Sequence, residues 1–142
     1  MRRVVKAFEV IDHTADIGIL VHGADIKQVF VNAAVGLFNL VIDTDSIRET
    51  TQYDLELSSQ DTESMLVEWL NELIYILDAE RLVFRSFAVD QLGNSRIKAR
   101  CFGEMIDPQR HVFKREIKAA TYHMLTVDRE HNGYKAQVIF DV

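Results

Sequence analysis

The chain has 142 residues, of which 48% are apolar and 27% charged, with a formal net charge of −6. This composition predicts a single globular domain over residues 1–142 and excludes disordered and fibrous chains. No apolar run approaches the roughly 18 residues that cross a bilayer. The basic start, Met1-Arg2-Arg3, leads into no signal-peptide core. We therefore expect a cytoplasmic protein that does not engage a membrane.

The lone cysteine and the scattered basic residues narrow the partners. Cys101 excludes an internal disulfide, and its alternation with Ile97 and Ala99 predicts a buried packing residue. The densest basic group, between residues 110 and 118, is diluted by acidic neighbours and forms no stripe that could neutralise phosphates. We expect no strong direct binding to nucleic acid, so that any work on RNA would pass through a protein partner.

In chain order, the sequence alternates strand patterns with two long amphipathic segments. The predicted strands cover residues 7–11, 17–22, 51–57, 82–89, 96–102, 121–128 and 134–140. The predicted helices cover residues 25–41, with Asp25 as N-cap, and residues 62–79. Trp69 and Tyr75 on the second helix are interpreted as core residues and not as platforms for stacked bases.

Hairpin connections dominate the order of these elements. Turn residues occur at Gly93-Asn94, Asp107-Pro108 and Asn132-Gly133, of which the last is a strong hairpin signal. The pattern predicts an α+β fold in two layers, with two main helices on one face of a largely antiparallel sheet. A mixed sheet is the alternative.

Carboxylates stand beside apolar strands at both ends of the sequence. Asp12 and Asp16 flank a polar turn, while Asp141 follows an apolar run and precedes Val142, whose main-chain and terminal oxygens lie next to it. A buried, unpaired carboxylate is costly, so such residues are usually paired, metal-bound or catalytic. Hard oxygen ligands suit calcium, magnesium or manganese. An Asp in a turn is also commonly a cap or solvated, and both readings stay open.

Other polar residues give weaker signals. His13 and His123 lie in polar motifs without zinc spacing, and each is either a structural hydrogen-bonding residue or part of a site. Lys118 lies between apolar residues and is either paired with a carboxylate or solvated. The sequence has no Gly-rich phosphate loop, nucleophile elbow or His-Glu-x-x-His helix. The residues alone thus indicate a small α+β domain with a candidate acidic metal site.

Five short motifs are spread over the length of the chain: HTADIG at residues 13–18, EWLNEL at 68–73, GE at 103–104, IKAATYH at 117–123 and IFDV at 139–142. In this order and over the whole length, they resemble the archease family. The resemblance implies a protein cofactor, not an enzyme, of the tRNA-splicing RNA ligase that joins 3′-phosphate or 2′,3′-cyclic phosphate ends to 5′-hydroxyl ends. It implies that the protein promotes guanylylation of the ligase and multiple turnover.

The same resemblance implies a site. One divalent cation would be held by Asp16, Asp141 and Val142, with calcium expected first and manganese or magnesium as alternatives. Two other functions stay open: a stand-alone metal-dependent hydrolase using the same carboxylates, and a chaperone-like interaction module. Further functional candidates around the site are Asp12, His13, Lys118 and His123.

Overall fold

The parts of the chain that the structure describes form eight strands, two helices and a short 3-10 turn. This computed structural model describes residues 7–12, 16–93 and 95–142, with Asp12 described by its backbone alone. The strands are β1 (Phe8–Asp12), β2 (Asp16–Gly23), β3 (Thr51–Ser58), β4 (Leu82–Leu92), β5 (Arg96–Met105), β6 (Ala119–Ala120), β7 (Thr126–Glu130) and β8 (Gly133–Asp141). The helices are α1 (Ile26–Val41) and α2 (Thr62–Glu80), with a 3-10 turn at Thr44–Ser46.

The strands form two antiparallel sheets, which confirms the α+β class. The first sheet has the order β1-β2-β8-β6, with β7 also paired to β8, and the second has the order β3-β5-β4. The sequence pattern predicts one sheet, and this part of the prediction is wrong. Alternation along a strand identifies the strand and its buried face, but it does not say which strands share hydrogen bonds. The division into two sheets could therefore not be derived from local patterns.

Helix α1 joins the two sheets through its apolar face. Asp25 is its N-cap, as predicted, and its side chain accepts a hydrogen bond of 2.8 Å from the Gln28 N–H. The helix packs on β2 of the first sheet and on β4 of the second. The Phe38 ring lies 5.8 Å, centroid to centroid, from each of the rings of Phe84 and Phe87. Burial of this face therefore ties both sheets to one core.

Helix α2 is anchored by a tryptophan. Trp69 is fully buried, as predicted, and its Nε1–H donates to the Phe30 carbonyl of α1 at 3.0 Å. Leu73 is also fully buried. Tyr75, in contrast, is 61% exposed, so its assignment to the core was wrong. Two residues beyond Leu73 is about 200° around a helix, which turns the Tyr75 ring away from the buried stripe.

The strand predicted at residues 121–128 is shorter than expected. Its first part is a turn, in which Thr121 Oγ1 accepts a hydrogen bond from the His123 N–H and the Leu125 N–H donates to the Tyr122 carbonyl, both at 3.3 Å. Met124 then takes a left-handed φ of 53°, which turns the chain into β7. The predicted hairpin at Asn132-Gly133 is confirmed, since Glu130 pairs with Gly133 across β7 and β8.

Cys101 is a free, fully buried thiol on the inner face of β5, as predicted. Its strand neighbours Ile97 and Ala99 are buried on the same face. Burial raises the pKa of the Cys101 thiol to about 12. The residue is therefore a packing element, since the nucleophilic thiolate form is suppressed at neutral pH.

The segment before β6 caps the end of α1. The Lys114 N–H donates to the Val41 carbonyl at 2.7 Å, and its Nζ donates to the Asn39 carbonyl at 3.0 Å. Arg115 Nη1 donates to the Leu40 carbonyl at 3.2 Å. The last turn of α1 contains no basic residue of its own. Lys114 and Arg115 therefore supply both the hydrogen bonds and the positive charge that a helix C-terminus favours.

A buried carboxylate anchors the start of that segment. Glu104 accepts hydrogen bonds from Arg110 Nη1 at 3.0 Å, the Arg48 N–H at 2.6 Å and His111 Nε2 at 3.0 Å. Since the Asp107 N–H donates to His111 Nδ1 at 2.8 Å, the imidazole proton is assigned to Nε2. The hydrogen bond from Arg110 lowers the pKa of Glu104 to about 2.

Folding stability should therefore depend on the charge of Glu104. Its pKa is about 2 in the folded state against a reference of 4.5, so the unfolded chain binds more protons between these values. The stabilisation is fully present above pH 4.5 and is lost as the pH falls toward 2. We expect Glu104→Gln to cost roughly 3 kcal/mol at neutral pH and to flatten this acid dependence. Urea unfolding measured across pH checks the expectation. Glu116→Gln, an exposed control, should match the wild type; a wild-type acid dependence retained in Glu104→Gln would contradict the assignment.

Candidate functional site

Strands β2 and β8 bring the two predicted carboxylates together. Asp16 begins β2, Asp141 ends β8, and the two residues are direct partners in the antiparallel register. Residues directly opposite each other on antiparallel strands share a face, with Cβ atoms about 4.5–5.5 Å apart. The fold therefore places two acidic side chains from opposite ends of the sequence side by side.

The charges of this pair are not balanced within the described chain. Asp16 Oδ1 is buried and has no hydrogen-bond partner among the residues that the structure describes. Asp141 is exposed. Like charges directly opposite in a sheet are destabilising, and a buried acceptor without a partner costs free energy. The arrangement fits a positive ion between the two side chains.

Strand β6 extends the site on the other side of β8. Ala119 pairs with Asp141, and the Lys118 N–H donates to the Asp141 carbonyl at 2.8 Å. The Lys118 side chain is exposed, and no ion pair joins it to a carboxylate whose side chain the structure describes. This exposure fits the solvated reading of Lys118, whereas the side chain of Asp12 in the first turn lies outside the description.

Two more of the predicted site residues, Val142 and Asp12, have their backbone next to the carboxylate pair. Val142 follows Asp141 at the same end of β8 and is 46% exposed. The backbone of Asp12 pairs with Ile17, next to Asp16, and its side chain lies outside the description. His13 lies outside the described residues.

His123 is further along the chain. It lies in the exposed turn between β6 and β7, where its N–H donates to Thr121 Oγ1 at 3.3 Å. The next residue, Met124, accepts from Gln137 Nε2 at 3.0 Å through its carbonyl. Gln137 lies four positions before Asp141 on β8, so this turn runs away from the carboxylate pair.

The donor atoms at the pair are oxygens. Within the described ranges, no three His, Cys, Asp or Glu side chains cluster in a way that could hold a metal ion. Among the described residues, the ligands available to a cation at this place are the two carboxylates and main-chain oxygens. Such a set suits a hard cation such as calcium, magnesium or manganese better than zinc.

Gly18 is a residue of this site that the sequence analysis quoted only as part of a motif. A Cβ at Gly18 would lie 2.6 Å from Ile139 Cδ1 and 3.0 Å from the Val138 carbonyl oxygen. The absence of a side chain therefore lets β2 and β8 pack closely two residues from the carboxylate pair. The available signal was a glycine inside a strand pattern, which marks a close approach of neighbouring chain.

Fold and site together define an α+β protein of two antiparallel sheets whose central strands end in paired carboxylates. The Archease protein family matches this chain over residues 8–142. The protein archease of Methanosarcina mazei is 41% identical over 141 residues, which cover 96% of this chain and 97% of that protein. The protein archease of Pyrococcus furiosus is 34% identical over 142 residues, or 97% and 100% of the two chains.

Solved structures have the same fold. The solution structure of Methanobacterium thermoautotrophicum protein 1598 aligns with a TM-score of 0.81 at 32% identity, covering 97% of this chain and 100% of that one. The crystal structure of an archease from Thermotoga maritima aligns with a TM-score of 0.62 at 23% identity, covering 100% and 98%, and shares the fold. The chain therefore belongs to the Archease protein family.

Relative to the wild type, Asp141→Asn should be more stable to unfolding without divalent cations and less stable with them. Without divalent ions, Asp141→Asn removes the repulsion toward Asp16 and should raise the free energy of unfolding by about 0.2–1 kcal/mol. With calcium at about 100 times its dissociation constant, the wild type should gain about 2.7 kcal/mol. The variant should gain much less. Thermal unfolding with a chelator and with calcium measures both effects.

The control for this experiment is Asp128→Asn, which removes an exposed carboxylate from β7 in the same sheet. It should keep the full calcium effect of the wild type. If calcium stabilises Asp141→Asn as much as it stabilises the control, Asp141 does not hold the cation.

Proposed function

We propose that this protein is a non-enzymatic activator of the tRNA-splicing RNA ligase that joins 3′-phosphate or 2′,3′-cyclic phosphate ends to 5′-hydroxyl ends. In this proposal it promotes guanylylation of the ligase and allows repeated turnover. Membership of the archease family supports the proposal. The single observation that carries it is the direct pairing of Asp16 with Asp141, with the Asp16 Oδ1 atom buried and without a partner among the described residues.

Asp16, Asp141 and Val142 would hold one divalent cation, with calcium ahead of manganese and magnesium. When bound, such a cation would neutralise the two carboxylates and offer a positive centre to phosphate oxygens. The protein's own contribution is geometric. The β2–β8 ladder fixes the backbone of Asp16 opposite that of Asp141, while the exposure of Asp141 leaves the site open to a partner.

Lys118 would act from the neighbouring strand segment. Its backbone is bound to the Asp141 carbonyl, and its side chain is exposed. A lysine ammonium is a compact charge on a flexible stem, and it binds phosphate as a point charge. We propose that Lys118 contacts a phosphate or an acidic group of the ligase complex beside the carboxylate pair.

The charge of the whole chain suits this kind of partner. A ligase that handles RNA needs a basic channel, and a protein with a net charge of −6 is attracted to its mouth. Such steering weakens with ionic strength because exposed charges are screened. No helix in the described residues is long and apolar enough to cross a membrane. A cytoplasmic location remains part of the proposal.

The proposal is tested by a ligation assay with the cognate ligase limiting and RNA in excess. The wild type should convert a slow or single-turnover reaction into repeated turnover. Asp16→Ala, Asp141→Ala and Lys118→Ala should fold but activate at least about 10-fold less, because they alter the site and not the core. Ligase guanylylation, followed with labelled GTP, should fall in parallel.

Two controls separate loss of function from loss of stability. Asp128→Asn should activate like the wild type. Leu73→Ala, in the core, should lose roughly 2–5 kcal/mol of unfolding free energy through its cavity and still activate at temperatures where it is folded. Normal activation by Asp16→Ala and Asp141→Ala would exclude the carboxylate pair from the function.

A chaperone-like module is the second candidate. Exposed apolar side chains favour it, and the related archease from Thermotoga maritima is described as a possible chaperone. The most exposed of these side chains in the described part of the chain are Tyr75, Met105, Val112, Tyr122 and Met124. A chaperone would suppress aggregation of unrelated unfolded proteins without dependence on Asp16. A stand-alone hydrolase would instead turn over phosphoesters or RNA with metal and no ligase.

A further inference from the structure

Strand β6 has a strand neighbour on one side and a side-chain amide on the other. It contains two residues, and β8 is its partner in the sheet. On the opposite side, the Ala120 N–H donates to Asn71 Oδ1 at 2.8 Å, and Asn71 Nδ2 donates to the Ala120 carbonyl at 3.1 Å. Asn71 comes from helix α2, 49 residues earlier in the chain.

The amide of Asn71 thus bonds Ala120 as a neighbouring strand would. In an antiparallel ladder, a hydrogen-bonded residue exchanges both its N–H and its C=O with one partner residue. Asn71 supplies the same acceptor and donor from a side chain that is half-buried. Without it, two backbone groups beside the buried Ala120 side chain would lose their partners in the described chain.

Helix α2 gives this amide a fixed position. Its neighbours Trp69 and Leu70 are fully buried, and Trp69 is bonded to the carbonyl of Phe30 in α1. A short series of contacts therefore connects the buried part of α2 to the carboxylate pair. Asn71 of α2 bonds Ala120, and the adjacent residue Ala119 is the register partner of Asp141.

We propose that Asn71 is a positioning residue of the functional site: its amide sets the place of β6 and, through β6, the placement of Lys118 and Asp141. This inference deepens the proposed function and rests on it. Asn71 lies in the EWLNEL motif at residues 68–73, to which the sequence analysis gave no role. Asn71 would touch neither cation nor partner and would act through the backbone of β6.

Asn32 provides a matched control on the other helix. It is also half-buried, and its Nδ2 donates to the His22 carbonyl of β2 at 2.7 Å. Both asparagines therefore join a helix to a strand of the same sheet. His22, however, lies at the far end of β2, six residues from Asp16. A purely structural role would make equivalent substitutions at Asn32 and Asn71 behave alike.

The first measurement does not depend on function. In Asn71→Ala, the Ala120 amide should exchange with solvent at least about 10-fold faster, because its hydrogen-bond acceptor is gone. The amide resonances of Lys118, Ala119 and Asp141 should shift, whereas Asn32→Ala should leave them in place. Unchanged exchange and unchanged resonances in Asn71→Ala would overturn the inference, whatever the protein does to a ligase.

The second measurement uses the site. Calcium titration by calorimetry, at a temperature where the variants are folded, should give at least about 10-fold weaker binding for Asn71→Ala. Asn32→Ala should bind calcium like the wild type. Asn71→Asp keeps an acceptor but has no donor, and it should lose part of the affinity, while Asn32→Asp, with the same added charge, should lose none. Ligase activation should follow the same order.

The outcomes separate the two proposals. If the wild type neither binds calcium nor activates the ligase, the proposed function fails, and the resonance shifts still decide whether Asn71 positions β6. If the wild type does both and the Asn71 variants match their Asn32 counterparts, the positioning role is wrong while the proposed function stands.

Discussion

The ladder between β2 and β8 is the interaction on which the rest of the structure depends. Its register places Asp16 opposite Asp141, and no other arrangement of these strands would do so, because a slip of one residue turns a side chain to the other face. The apolar residues between the two ends of the ladder are buried under α1. The burial that stabilises the sheet therefore also fixes two like charges beside each other.

Part of this architecture follows from local sequence patterns. Both helices begin and end within one residue of the predicted bounds. Asp25 and Asp61 cap their starts, and their apolar stripes have a clear helical period. Cys101 and Trp69 are buried as expected. The strand predicted from residue 121 was too long, since Thr121 Oγ1, which accepts from the His123 N–H, and the positive φ of Met124 shape a turn that composition does not distinguish from a strand.

The motifs predicted the residues of the candidate site, but they could not predict how these residues are arranged in space. Sequence distance says nothing about the pairing of residues 16 and 141, which is a property of the sheet. Asn71 illustrates the limit, because an asparagine on an amphipathic helix normally indicates a solvated face. The structure shows instead that its amide bonds the backbone of Ala120 in β6. The arrangement of the site depends on backbone pairing between residues far apart in the sequence. The helices and strands themselves depend on local sequence preferences.

The attachment of the segment between β5 and β6 determines how easily this segment can move. Most of it has no regular structure, and its attachment to α1 consists of a few hydrogen bonds from Lys114 and Arg115 to the last carbonyls of that helix. Regions held by few bonds open locally at a free energy well below that of global unfolding. Detachment at Lys114 and Arg115 would loosen residues 114–116 between two remaining anchors, the hydrogen bond from the Asp43 N–H to the Val112 carbonyl and the buried side chain of Ile117, while both sheets stayed intact. The end of α1 thus restrains the middle of the segment that leads to Lys118.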